Sequence, residues 1–103
     1  MVKQLTTPEE WKQVLSSDKT VVVDWTATWC GPCKMIGPVF AELESSYPSI
    51  LFVKIDVDEL GDASQDAGIT AMPTFQVYKG GKKVDEIIGA SKDKLKALLE
   101  AHK

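Results

Sequence analysis

Trp29-Cys30-Gly31-Pro32-Cys33 follows the run Thr20-Val21-Val22-Val23-Asp24-Trp25 and leads into Ile36, Val39, Phe40 and Leu43. The first run is almost continuously β-branched and apolar, which predicts a central strand covered on both faces. The later residues recur at i, i+3, i+4 and i+7 and predict a helix from Gly31 to about Ser46. A Cys-x-x-Cys pair at such a strand-to-helix junction reads as a redox dithiol. Cys30 opens the helix, where backbone N–H groups without intrahelical partners point at its sulfur and favour a thiolate. Pro32 suits the first turn, because its missing N–H costs nothing there. Cys33 falls one turn behind Cys30, so the two sulfurs come within bonding reach.

Outward from this centre the chain alternates between strand and helix patterns. Val2 to Leu5 reads as a short strand. Thr7-Pro8-Glu9-Glu10 carries three helix-start cues, a capping Thr, a Pro at the first position and a Glu three residues after the Thr. That helix holds Trp11, Val14 and Leu15 and ends near Ser16-Ser17-Asp18. Pro38 lies inside the Gly31 helix and should bend it, but the apolar pattern continues through it. Ile50 to Val57 reads as a buried strand and Leu60 to Ala67 as a short helix stopped by Gly68. Thr74 to Lys79 and Lys82 to Ile88 flank Gly80-Gly81 and predict an antiparallel hairpin. Ser91 caps a last helix with Leu95, Leu98 and Leu99 on its inner face. Strand, helix, strand, helix in succession predicts parallel pairing at the sheet centre, hence an α/β fold with a mixed sheet and helices on both faces.

With 103 residues, the expectation is one domain, 1–103, large enough for a real hydrophobic core. The net charge of -3, with lysines and acids interspersed, gives no basic stripe for nucleic acid. Two cysteines and one histidine cannot complete a tetrahedral zinc site within one chain, so no metal is expected. No apolar run approaches a membrane span, and the N-terminal stretch lacks the apolar region of a secretory signal. A cytoplasmic location follows as an expectation, where a paired Cys is catalytic more often than structural.

Cys30 is assigned as the nucleophile, exposed for attack on a disulfide, and Cys33 as the more buried resolving thiol. The competing reading is a pair of structural or metal-binding cysteines. Asp24 interrupts an apolar strand. A carboxyl buried there has a raised pKa and, near Cys33, can accept the proton that Cys33 must lose. The plainer reading is a solvated Asp at a strand end. Trp11 and Trp25 read as core, Pro8 and Pro48 as punctuation, and Lys82-Lys83 and Lys92 to Lys96 as solvated faces.

Trp29-Cys30-Gly31-Pro32-Cys33 resembles the active site of the thioredoxin family, Gly-Pro pair included. Asp24 before it, Pro38 within the helix, Met72-Pro73-Thr74, Gly81 and Gly89 fit the same family over nearly the whole chain. Lys54-Ile55-Asp56-Val57-Asp58 and Ala71-Met72-Pro73-Thr74-Phe75 look more like eukaryotic cytosolic members than bacterial ones. The resemblance implies a thioredoxin fold and a protein-disulfide reductase with Cys30, Cys33 and the buried acid Asp24 as catalytic residues. It implies a supporting Lys54 beside that acid, with a surface lysine as the plainer reading, and a cis bond before Pro73. Pro73 would face the cysteines, shield the sulfurs and hold the Met72 backbone outward for an extended substrate segment. Trp29, Gly31, Pro32, Met72, Gly89 and Ala90 would form an apolar docking rim, with ordinary packing as the alternative for Met72 and Ala90.

The same resemblance implies no bound cofactor, with electrons from NADPH through a flavin-dependent thioredoxin reductase. Clients would include peroxiredoxins, ribonucleotide reductase and methionine sulfoxide reductases. The chain departs from the family at Ala27-Thr28, where Ala-Glu or Ala-Pro is commoner, and at Ala71, where some animal members carry a cysteine. The absent thiol argues for a monomer. Two rival functions remain open at this point, a disulfide oxidase or isomerase and a binding module with incidental redox chemistry. The Gly31-Pro32 pair argues against the first, since the intervening dipeptide tunes which redox form is favoured.

Overall fold

In the computed structural model, which describes residues 2–103, the chain order is β1 (Lys3–Leu5), α1 (Pro8–Leu15), β2 (Thr20–Thr26) and α2 (Gly31–Leu43), then a 3-10 turn (Glu44–Ser46), β3 (Ile50–Asp56), α3 (Gly61–Asp66), β4 (Thr74–Lys79), β5 (Lys82–Ile88) and α4 (Lys92–His102). Met1, where the expected domain begins, lies outside the described residues. The five strands form one sheet in the order β1-β3-β2-β4-β5. β3 runs parallel to both β1 and β2, whereas β4 is antiparallel to β2 and to β5. This is the mixed sheet that the sequence predicts.

Alternation along the strands sorts side chains onto two faces. Val22, Phe52, Phe75 and Val77 join Ile36 and Phe40 of α2 and Leu95, Leu98 and Leu99 of α4 in one core. Val21, Val23, Trp25, Val53, Ile55 and Tyr78 join Leu5, Trp11 and Leu60 in the other. Trp11 meets Trp25 and Tyr78 edge-on, at centroid distances of 5.6 and 5.2 Å. Asp24 and Lys54 have the parity of Val22 and Phe52, so both belong to the α2 side of the sheet. That parity, set two strands deep in the core, is what brings a carboxylate to the underside of the dithiol helix.

Local signals locate the elements well. Thr7 accepts from the Glu10 N–H at 3.2 Å and the Glu10 side chain accepts from the Thr7 N–H at 3.2 Å, a complete capping box. Gly68 has φ 75°, and the turn glycines Gly80 and Gly81 have φ 60° and 79°, conformations that a residue with a Cβ resists. Several boundaries differ from expectation, the first at Val2, which precedes β1 rather than opening it. The Gly31 helix tightens into 3-10 geometry after Leu43 instead of running as α-helix to Ser46, a common way for a helix to satisfy its last carbonyls. Val57 falls outside β3, its N–H donating to the Thr26 carbonyl at 2.9 Å. Leu60 and Ala67 cap α3 rather than lie within it.

A polar hub crosses the second core. Gln76 is fully buried. Its Oε1 accepts from the Trp25 indole N–H at 2.9 Å and the Tyr78 hydroxyl at 2.6 Å. Its Nε2 donates to the Ala67 carbonyl at 3.1 Å and to Glu86 at 2.8 Å. The amide is satisfied on both ends, which removes the cost of burying it, and it ties the end of α3 to the sheet.

Candidate active site

β2 and α2 meet at the dithiol. Cys30 is the N-cap of α2 in extended conformation, and its Sγ accepts the Cys33 backbone N–H at 3.2 Å. A sulfur here takes the place of the usual capping oxygen. The structure shows the two cysteines joined as a disulfide, with Cα atoms 5.3 Å apart. Pro32 occupies the first turn, and the helix continues through Pro38.

One expectation is corrected. Cys30 is not the exposed partner in this state: it is 6% exposed and Cys33 4%. Ala27 packs directly on the pair, with Val57 and Met72 alongside. Cys30 Sγ lies 3.8 Å from the Met72 carbonyl oxygen. The Cys30 sulfur lies beneath these neighbours, a tertiary cover that local spacing does not reveal.

The Met72–Pro73 peptide is cis, as the family resemblance implies. The Gly89 N–H donates to the Pro73 carbonyl at 2.9 Å, and Thr74 Oγ1 donates to the Ala71 carbonyl at 2.6 Å. These bonds hold the proline loop against the start of β4 and the end of β5. Of the residues expected to form the docking rim, Trp29, Gly31, Pro32 and Ala90 are exposed, Met72 and Gly89 partly buried. Trp29 is 66% exposed, and its indole N–H donates to Asp58 Oδ2 at 2.8 Å. Asp58 is a contributor that the sequence reading missed. It appears there only as part of a lineage-like stretch, and no spacing rule links it to Trp29.

Beneath the dithiol Asp24 is 3% exposed, and its Oδ1 has no hydrogen-bond partner among the described residues. Burial pushes its pKa from 3.8 up to about 7, while the positive charge of Lys54 opposes part of the rise. Lys54 stands level with Asp24 on the adjacent parallel strand. Asp24, Cys33 and Lys54 line one cleft of about 450 Å³ between α2 and the sheet. The plainer reading of Asp24, a solvated strand-end carboxylate, is therefore excluded by its burial. Among the described residues no group of three or more His, Cys, Asp or Glu side chains could hold a metal, and no helix is long and apolar enough to cross a membrane.

A mixed five-stranded sheet that presents a Cys-x-x-Cys disulfide at a helix mouth, against a cis-proline loop, defines a protein-disulfide oxidoreductase. The chain belongs to the thioredoxin family, whose profile matches residues 2–101. It is 47% identical over 102 residues to Thioredoxin-1 of Schizosaccharomyces pombe, covering 99% of each chain. Its fold superposes on a Plasmodium falciparum thioredoxin structure with TM-score 0.97 and 42% identity, covering 99% of this chain and 100% of that one. It also matches, with TM-score 0.90 and 38% identity over 97% of this chain and 94% of the other, a chain in a structure addressing the thiol resolving mechanism in yeast mitochondrial 1-Cys peroxiredoxin via glutathione/thioredoxin systems.

Proposed function

We propose that the chain reduces protein disulfides by dithiol exchange, with Cys30 as nucleophile and Cys33 as resolving thiol. The observation that carries this is the Cys33 N–H directed at Cys30 Sγ at the first turn of α2. That donor and the helix dipole stabilise a thiolate in the reduced protein. The Cys30 thiolate attacks a client disulfide along its S–S axis, forms a mixed disulfide and expels one client thiolate. Cys33 then gives its proton to Asp24 and attacks Cys30 Sγ. The second client thiolate leaves, and the electron pair has passed from the dithiol to the client. Asp24 is suited to this transfer because a carboxyl with pKa about 7 is both a usable base and a group that readily releases the proton again. Lys54 tunes that carboxyl.

Pro73 and the Met72 backbone face the sulfurs and offer an edge for an extended client segment, while Trp29, Gly31, Pro32, Gly89 and Ala90 supply the docking rim. The chain needs no bound cofactor in this scheme. A flavin-dependent thioredoxin reductase returns electrons from NADPH, in the cytoplasm. Clients are peroxiredoxins, ribonucleotide reductase and methionine sulfoxide reductase, and the protein acts as a monomeric single domain. The match to a chain from a study of peroxiredoxin resolution supports the first of these clients.

Trapping tests the scheme. Cys33→Ser should leave Cys30 covalently joined to clients, while Cys30→Ser should trap none. Alkylation of the reduced protein should label Cys30 before Cys33, and the reverse order would overturn the assignment. An equilibrium with glutathione that leaves the pair mostly reduced in mildly reducing buffer would instead indicate a disulfide oxidase.

A further inference from the structure

The cleft beneath the dithiol is far larger than proton transfer requires. Its volume of about 450 Å³ falls among small-molecule sites of about 300–1,000 Å³, whereas one water takes about 30 Å³. Three observations point to a ligand. First, Asp24 lines this cleft and its buried Oδ1 has no donor among the described residues, an arrangement in which the carboxyl favours whatever supplies an N–H or O–H. Second, Gly37 lies inside α2 and also lines the cleft. Glycine weakens a helix interior relative to alanine. Yet Gly37 is not among the glycines of positive φ, and a Cβ built on it meets nothing within 4 Å beyond its chain neighbours and the adjoining backbone of its own helix. Its effect is to leave the cleft wall bare. Third, the charges in the cleft oppose one another: Lys34 on α2 and Lys54 on β3 against Asp24 on β2 and Asp56 on β3. A cation meets the lysines and an anion meets the carboxylates. A neutral amide can donate to Asp24 and accept from a lysine at the same time.

We propose that this cleft is a binding site for a small neutral molecule with a primary carboxamide on an apolar body, its N–H donating to the Asp24 carboxyl and its body resting on Pro38, Phe40 and Ala41. None of Trp29, Met72, Gly89 and Ala90 lines the cleft, so the site is distinct from the docking rim. A ligand there reaches the dithiol from behind. The proposal concerns binding to the oxidised chain and stands whether or not Asp24 relays a proton.

The test is an NMR titration of the oxidised chain with benzamide, at a pH of about 8 so that Asp24 is ionised. Benzamide should give saturable shifts at the amides of Thr26, Ala27, Ala41 and Lys54, with Kd about 1–10 mM for so small a ligand. The Trp29 indole and the Gly89 amide should not move. Benzoate and benzamidinium, of the same shape but charged, should bind about fivefold more weakly or worse. Gly37→Leu fills the cleft and should abolish the shifts while its spectrum stays dispersed. Asp24→Asn, which keeps the shape and removes the charge from the acceptor, should weaken benzamide about fivefold. Gly37→Ala should hold or raise the Tm; a fall would assign the glycine to relief of crowding by the Pro38 ring and overturn its reading as a bare wall. Shifts that never saturate, that centre on Trp29, that are equal for all three probes, or that persist in both Gly37→Leu and Asp24→Asn would overturn the site.

Discussion

Trp29 shows how a single exposed side chain is held in place. An indole that is 66% exposed would ordinarily sample several rotamers, and a client would have to immobilise it, at about 0.5–1.5 kcal/mol for a rotamer-rich side chain. The bond from its N–H to Asp58 Oδ2 at 2.8 Å holds it in advance. The bond is charge-assisted but solvent-exposed, so its net contribution to global stability is small, within about 1 kcal/mol. Under the proposed docking of clients at Trp29, its effect would belong to recognition. Asp58→Ala should leave urea unfolding within about 0.5 kcal/mol of the parent and lower kcat/KM for insulin reduction about two- to fivefold. The indole N–H resonance should move and its relaxation report a freer ring. An unmoved resonance would show that the ring is held by something else. Cys30 offers the corresponding lesson at the helix mouth, where the sulfur proposed as nucleophile is also the cap. Cys30→Ser retains a capping acceptor for the Cys33 N–H and Cys30→Ala does not. With the disulfide absent from both, Cys30→Ser should be more stable to urea by about 1 kcal/mol.

At the scale of elements, capping makes a matching prediction away from the site. Thr7→Ala dissolves the capping box of α1 and should cost about 1 kcal/mol in urea unfolding, with insulin reduction untouched because α1 packs on the face opposite α2. The cues at Thr7-Pro8-Glu10, Gly80-Gly81 and Ser91 were legible in the sequence because each is a local rule about one turn of backbone. The strands were legible because Val21 to Val23 and Ile50 to Ile55 carry enough β-branched apolar residue to dictate their burial. Cys30, Cys33 and Asp24 were legible too, two by spacing at a helix start and one as a charge in an apolar strand. What escaped depends on residues distant in the chain. The Trp29–Asp58 bond joins positions 29 residues apart. The burial of Cys30 comes from Ala27, Val57 and Met72. The Gln76 hub gathers Trp25, Ala67, Tyr78 and Glu86, and Gln76 by itself resembles any polar residue in a strand. The cleft exists only once β1, β2, β3 and α2 are assembled, and no periodicity encodes a volume.

For the whole molecule, the buried acid sets an unusual dependence of stability on pH. Most shifted carboxylates here are lowered: Glu10 to about 2 by bonds from the Thr6 backbone and Lys3, Asp85 by its bond with His102, and Glu100 by its bond with Tyr47. Each stabilises the fold above its ordinary pKa and loses that contribution as pH falls through its folded value. Asp85 and Glu100 are exposed and Glu10 partly so, and screening keeps such contributions small. Asp24 acts in the opposite sense. Its folded pKa of about 7 lies above the ordinary 3.8, so between these values the native state binds the extra proton. Stability from this group is complete below pH about 4, falls as pH rises, and levels off once pH passes about 7. Three pH units correspond to about 4 kcal/mol, a large share of the 5–15 kcal/mol typical of a whole domain. Asp24 therefore dominates the pH dependence on the neutral side of the profile. Asp24→Asn keeps the shape and removes the ionisation. At pH about 8 it should exceed the parent by a few kcal/mol in urea unfolding, and the gap should close steadily toward pH about 4. Oxidised protein is the form to measure, since no cysteine then titrates in the native state. A gap that stays constant across this range would mean that the carboxyl is not desolvated in the fold. An Asp24 that titrates like a surface acid could not serve as the proton acceptor for Cys33, and the relay in the proposed exchange would need another base.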